Sequence, residues 1–136
     1  MEINWLDFIE MNRIINTKNA PAPIGPYSQA VIANGFLFLS GQIAINPESG
    51  EVVQSSIAEE THQVMRNIKA VLLEASYSFE DVVKTTIFLS DMALFAEVNE
   101  IYGSFFHKNF PARETVAVKG LPKGVNVEIS MTAYKG

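Results

Sequence analysis

Residues 28–42 read SQAVIANGFLFLSGQ, two apolar runs on either side of Asn34-Gly35. Asn-Gly accepts the positive backbone angles of a two-residue hairpin turn, so the stretch predicts two antiparallel strands. VVKTTIFL, residues 82–89, is short and β-branched and reads as a third. Both FLFL and VVKTTIFL carry large apolar groups at odd and even positions alike. Successive strand residues point to opposite faces, so both faces of this sheet want cover.

Working outward, NPESGE at residues 46–51 is a turn-rich loop, and Ser56-Ile57-Ala58-Glu59 has the spacing of a capping box. Ile57, Val64, Ile68, Val71, Leu72 and Ala75 then recur at helical spacing, which predicts a helix over about residues 56–76. Asp91 reads as the cap of a second helix with Leu94, Phe95, Val98, Tyr102, Phe105 and Phe106 on one stripe and Phe110-Pro111 as its stop. Glu114–Val118 and Asn126–Ala133 are the last strands, joined through KGLPKG. The order is β-β-α-β-α-β-β, an α+β domain in which two helices cover one face of a mixed sheet. The other face would be a larger apolar patch than soluble monomers expose, which predicts a homo-oligomer with the sheets of neighbouring subunits facing each other. A third layer built from the amino-terminal segment and loops is the alternative.

Length and composition narrow the class. At 136 residues the chain fits one domain, and 48% hydrophobic against 18% charged residues excludes a disordered chain. The absence of cysteine excludes a disulfide scaffold, a Cys-ligated metal site and thiol catalysis, and suits a reducing compartment. A net charge of -5 with scattered Lys and Arg lacks the basic footprint of nucleic-acid binding. No apolar run approaches the ~20 residues of a membrane span, and MEINWLDFIEMNR carries acidic residues where a signal peptide carries basic ones. The expectation is a soluble cytoplasmic protein with no membrane partner.

No GxSxG, HExxH, Walker or GxGxxG motif occurs, and the two histidines, His62 and His107, fall on or near different helices, so a metal site is not expected. His62 belongs to a polar helix face. His107 sits near a helix end, where it complements the carbonyl dipole or serves as an acid or base. Arg113 is one of only three arginines and opens a strand after Phe110-Pro111-Ala112. A guanidinium matches a carboxylate with two parallel hydrogen bonds, so Arg113 is either an anion clamp or one half of a salt bridge. In VNVEISMTA, Glu128 shares a face with Asn126, Ser130 and Thr132. If KGLPKG closes a hairpin, Glu128 comes level with Arg113 or within two residues of it, and the pair share one end of the sheet. They would then form a simple ion pair, or a proton-handling carboxylate beside a cation that anchors an acid substrate. Gly25-Pro26-Tyr27-Ser28 and Ser40-Gly41-Gln42 lie at strand joints of the same sheet, where backbone approaches a ligand closely and a hydroxyl orients it.

Residues 12–133, about nine-tenths of the chain, resemble the RidA (YjgF) reactive intermediate deaminase family, formerly described as L-PSP endoribonucleases. The matching stretches, in family order, are NAPAPIGPYSQAV, LSGQIAINPESGEV, THQVMRNIKAVLLEA, VVKTTIFLSDM, FAEVNEIYGSFF, FPARETVAV and LPKGVNVEISMTA. The resemblance implies a chorismate-mutase-like fold and a homotrimer whose sheets form a central barrel, with clefts at the subunit interfaces. It implies hydrolysis of enamine and imine acids such as 2-aminoacrylate and 2-iminobutanoate to 2-oxo acids and ammonia, a hydrolase reaction on C=N that needs no cofactor or metal. In that pattern Arg113 binds the substrate carboxylate, Glu128 positions or activates water, and Tyr27, Ser40, Asn99 and Thr115 line the pocket. Two positions depart from it. Thr115 stands where many members have cysteine, and Glu114 where many have a small residue. Strand alternation aims Glu114 away from the cleft, whereas a twist or bulge that turned it inward would make it compete with substrate for Arg113. An RNA-cleaving translation inhibitor and a non-enzymatic ligand sensor using the same clamp are the alternatives. The first 11 residues lie outside the resemblance, with Trp5, Phe8 and Ile9 at helical spacing in an arm that docks on its own or a neighbouring subunit, or with Met11 as the native start.

Overall fold

The computed structural model describes residues 12–136; the amino-terminal arm and its Trp5, Phe8 and Ile9 spacing lie outside them. Six strands form one sheet in the order β1-β2-β3-β6-β4-β5: β1 Asn12–Ile15, β2 Ala30–Ala33, β3 Phe36–Gln42, β4 Val82–Leu89, β5 Ala112–Ala117 and β6 Val127–Tyr134. All pairs are antiparallel except β4 with β5, so the sheet is mixed, and two helices, α1 Ile57–Glu74 and α2 Phe95–Gly103, cover one face. The β2–β3 hairpin turns at Asn34 and Gly35, whose φ values of 51° and 84° are what the dipeptide predicts. An added Cβ on Gly35 would sit 2.8 Å from the Lys135 carbonyl oxygen, so glycine is required there twice over.

The first helix follows its pattern closely. The Ser56 hydroxyl accepts the Glu59 N–H at 3.0 Å, and Val64, Met65, Ile68, Val71 and Leu72 are fully buried against the sheet. Full burial of such a side chain is worth about 1.5 to 3 kcal/mol, so this stripe holds the layers together. Asp91 caps a 3-10 turn, Met92–Leu94, that runs into α2. That helix ends at Gly103, well before Phe110-Pro111: Gly103-Ser104 favours termination, and the N–H groups of Phe105 and Phe106 bond three residues back, tightening the chain out of α geometry. Phe106 still packs into the core.

Two expectations about strands need correction. Asn12–Ile15 is an edge strand paired with β2 that the periodicity did not reveal, because four residues with polar Asn12 and Arg13 carry no alternation. KGLPKG does not close a hairpin. β4 lies between β5 and β6; α2 carries the chain across to lay β5 parallel to β4, and the KGLPKG segment then passes the end of β4 to bring β6 into the middle of the sheet. The near-continuous apolar alternation of β6, with Val127, Ile129, Met131 and Ala133 all buried, suits a central strand.

The face away from the helices carries Phe36, Phe38, Val116 and Tyr134, all exposed, beside Ile14 and Val83. Among the described residues the two helices therefore leave one apolar face without cover, in line with the two-sided strands.

Candidate functional site

The register of the sheet sorts the candidate residues onto its two faces. Across β4, Arg113 pairs with Thr85, while Phe88 lies opposite both Val116 and Glu128. Glu128 is thus level with Val116, three residues along from Arg113, and odd spacing puts the two side chains on opposite faces. The expectation that they share one end of the sheet within two residues fails in a single chain. The reason is the inserted β4, which replaces the hairpin on which that register rested.

Arg113 lies on the helix face and is built into α2. Its Nη1 donates to Asn99 Oδ1 at 2.7 Å, and the guanidinium carbon sits 5.1 Å from the centre of the Tyr102 ring and 5.6 Å from that of Phe95. Phe95, Asn99 and Tyr102 lie four and three residues apart, so one helix face supplies both rings and the amide. Tyr102 is fixed in turn by its hydroxyl, 3.0 Å from Thr85 Oγ1, and burial raises its phenol above the ordinary value of 10.0. Asn99 is the hydrogen-bond partner of Arg113 among the described residues, so the rest of the fork faces a cleft of about 430 Å³ lined by Gly103, Phe110 and Pro111. Thr115, two residues on along the same face, encloses its hydroxyl with no partner among the described residues. Glu114 turns the other way. Its carboxylate meets Lys84 Nζ at 2.9 Å and Thr86 Oγ1 at 2.7 Å on the open face, so it does not compete for Arg113, and the Thr86 hydroxyl, then Lys84, lower its pKa.

Glu128 lies on the open face, in a second cleft of about 370 Å³ with Tyr27 and Ser40. Ser40 and Gly41 together oppose Ser130, because Leu39 pairs with Met131 and Gln42 with Ile129: β3 carries a bulge there. The bulge presses Gly41 against the carboxyl group. A Cβ on Gly41 would lie 2.9 Å from Glu128 Cδ and 3.0 Å from Oε2, a space only glycine leaves. Burial raises the Glu128 pKa above the ordinary 4.5, and no hydrogen bond to its carboxyl offsets that among the described residues. Ser40 donates its hydroxyl to the Ser28 carbonyl at 2.6 Å, and Tyr27 Oη accepts the Ile24 N–H at 3.3 Å, its ring half exposed at the mouth. Gln29, fully buried, ties the opposite rim: its amide bonds Thr17 N and the carbonyls of Thr17, Ala20 and Pro21.

The structure thus brings Asn99 and Arg113 together, with Thr115 along the same face, and separately Tyr27, Ser40 and Glu128. The His62 ring lies tilted beside Phe105, 5.9 Å between ring centres, and His107 borders a third depression beside Glu80 and Asp81; neither lines the two clefts. Among the described residues no group of three or more His, Asp or Glu is placed to hold a metal ion, and no helix is long and apolar enough to cross a membrane. The sequence reading assigned Phe95 and Tyr102 to the core stripe and missed them as a shelf for the guanidinium. Their spacing around Asn99 was the available signal. The bulge at Ser40-Gly41 had none beyond the glycine.

Residues 17–135 match the family model described as Endoribonuclease L-PSP. The human 2-iminobutanoate/2-iminopropanoate deaminase is 45% identical over 93% of this chain and 92% of its own length, and a RutC family protein of Pyrococcus horikoshii is 52% identical over 92% and 99%. Among solved structures, the Rid-family protein YyfA of Yersinia pestis is 50% identical with a TM-score of 0.89, covering 91% of this chain and 99% of its own. TdcF of E. coli, solved with bound serine, is 37% identical with a TM-score of 0.87 over 91% and 99%. The fold, the register and these matches together make this chain a member of the Rid (YjgF) family, whose family model bears the older description Endoribonuclease L-PSP.

Proposed function

We propose that the protein hydrolyses reactive enamine and imine acids to 2-oxo acids and ammonia, as a homotrimer in which the Arg113 cleft of one chain meets the Glu128 cleft of the next. The observation that carries this reading is the Arg113 corner: a guanidinium fixed by Asn99 and two rings, with the remaining side of its fork turned into a cleft. Such a fork suits a small carboxylate, each charge-assisted contact contributing about 1.5 to 3 kcal/mol. The identity to the human imine deaminase supports the reaction class, and the uncovered apolar face supports an assembly.

The chemistry asks little else of the protein. A 2-aminoacrylate takes a proton at its terminal carbon and becomes the iminium acid; water adds to the C=N carbon; a proton passes to nitrogen, and ammonia leaves as the carbonyl forms. Arg113 and the main chain at Thr115 hold the carboxylate end, which fixes the C=N carbon for attack. Glu128, partly desolvated and with its pKa raised, takes the proton of the attacking water, while Tyr27 and Ser40 orient water and leaving nitrogen.

The test is a coupled assay in which a pyridoxal-phosphate-dependent dehydratase releases 2-iminobutanoate and 2-oxobutanoate formation is followed. Wild type accelerates the second phase, and Arg113→Ala lowers kcat/KM by about 10² to 10⁴-fold. Decay at the same rate with and without protein refutes the reading. Tight binding of 2-oxobutanoate without turnover would make the protein a ligand sensor instead. RNA cleavage by a nuclease-free preparation, weakening with salt, would restore the older description against the net charge of -5.

A further inference from the structure

Glu60 is a carboxylic acid with no exposed surface, one turn before Val64 on the buried stripe of α1, where an apolar residue would serve packing better. All its partners are N–H donors. Oε2 accepts the backbone N–H of Asn126 at 2.7 Å and of Val127 at 3.0 Å, and Oε1 accepts Asn126 Nδ2 at 3.1 Å. Asn126 continues the chain of contacts: its Oδ1 accepts the Ser90 hydroxyl at 2.8 Å, and its carbonyl accepts the Ser90 N–H at 3.0 Å. One helix side chain thus pins the point at which β6 begins and ties it to the end of β4.

That point is bracketed by the Glu128 cleft. Pro122 and Glu128, four residues before and two after Asn126, both line it. The segment entering β6 includes Lys123 in the left-handed region, φ 57°, followed by Gly124 at φ 65°. It belongs to no strand, so its placement depends on pins of this kind. We infer that Glu60 is a positioning residue for the carboxylate half of the site: by holding residues 126 and 127 it sets where Glu128 presses on Gly41 and where Pro122 closes the wall. The inference rests on the deaminase reading for its kinetic consequence, but not for its structural one.

Three full-length variants and a control test it in the coupled assay. Glu60→Leu keeps the apolar stripe and removes every acceptor; kcat falls about 10- to 100-fold, as expected for a reacting group displaced by about 1 Å. KM stays within about threefold, because the Arg113 corner is untouched. Glu60→Gln, which keeps an oxygen for the two backbone N–H groups, recovers kcat to within about fivefold of wild type. Asn126→Ala, milder and safe against a folding failure of Glu60→Leu, loses one contact to Glu60 and the bond from the Ser90 hydroxyl, keeps the main-chain bond to Ser90, and lowers kcat about three- to tenfold. Val71→Ala, a core change remote from the site, controls for lost stability and keeps the wild-type kcat. The inference is overturned if Glu60→Leu or Asn126→Ala turns over like wild type, if Gln is no better than Leu, or if Val71→Ala loses kcat in step with its melting temperature. A crystal structure of Glu60→Leu, or of Asn126→Ala if that variant alone folds, decides the structural part independently. Glu128 shifted off Gly41 upholds it, and Glu128 unmoved sinks it even if the wild type has no deaminase activity.

Discussion

The Arg113 corner and the Glu128 wall are built in opposite ways. Arg113 is placed by side chains, an amide and two rings from one face of a single helix. Glu128 is placed by main chain: the bulge that brings Gly41 against it, and the pinned backbone at residues 126 and 127. The first region holds a permanent charge on a preset shelf, suited to gripping a ligand. In the second, a carboxyl group with no hydrogen-bond partner among the described residues has its pKa raised from the ordinary 4.5 by burial, which suits it to moving a proton. The two lie on opposite faces of one sheet, so in a single chain the grip and the base cannot act on the same small molecule. Either the halves come from two chains or the assignment of one is wrong.

Mixing separates those outcomes and carries the largest expected effect. Arg113→Ala and Glu128→Gln chains, each inactive alone, are unfolded together and refolded as mixed assemblies. If sites are shared between neighbours, activity returns to about a quarter of wild type, since about one interface in four joins an intact Arg113 to an intact Glu128 in a randomly mixed ring. No recovery, with mixed assemblies confirmed by mass, means that the assignment of one of the two groups is wrong and dissolves the contrast. Gly41→Ala comes next. Its new methyl group would lie 2.9 Å from Glu128 Cδ, and the far end of that side chain can swing aside. The fold therefore survives while the carboxylate moves, and kcat falls about 10- to 100-fold with little change in KM. A rise in KM with kcat intact would make Gly41 part of the grip instead.

How much of this could be read from the sequence follows the same division. Helix α1, the Asn34-Gly35 hairpin and the strand at residues 82–89 announce themselves through local periodicity and turn chemistry, and the structure keeps them. Motif matching selects Arg113, Asn99 and Glu128, but the register between distant strands is not local. Whether β5 meets β6 or β4 depends on how the crossover through α2 packs, and no residue in KGLPKG records that. Glu114 illustrates what parity alone can settle, for strand alternation aims it away from Arg113 and the Lys84 and Thr86 contacts agree. Glu60 reads in the sequence as part of a polar helix face, and the structure buries it instead. Its meaning appears only when the backbone of residues 126 and 127 arrives opposite.

The pH dependence sharpens the contrast between grip and base. The raised Glu128 pKa means that the folded protein holds a proton there at pH values where the unfolded chain has released it. Stability is therefore fully present below the ordinary 4.5 and is lost as pH rises from there through the raised value. Glu128→Gln removes that loss, so the variant melts higher than wild type at pH 7 while turning over far more slowly. Activity runs the other way: kcat/KM rises with pH through the same raised value, because the base works unprotonated. An acid limb at or below 4.5, or a Glu128→Gln variant less stable at pH 7, would mean that the carboxyl group gains a partner in the assembly and is not poised as a base.

The smallest effect expected is that of Glu114→Ala, beside the grip in sequence but across the sheet from it. Its ion pair with Lys84 is exposed, with 45% and 50% of the two side chains open to solvent, so its removal changes stability little at neutral pH. The contribution it does make is present above the ordinary 4.5 and is lost as pH falls through the lowered value, so wild type and variant converge in acid. With Arg113 on the other face, kcat/KM stays within about twofold of wild type. A loss beyond tenfold would show that a neighbour's sheet turns Glu114 toward a substrate, and the two faces of the strand would then serve two sites at once, making β5 the element that couples adjacent clefts.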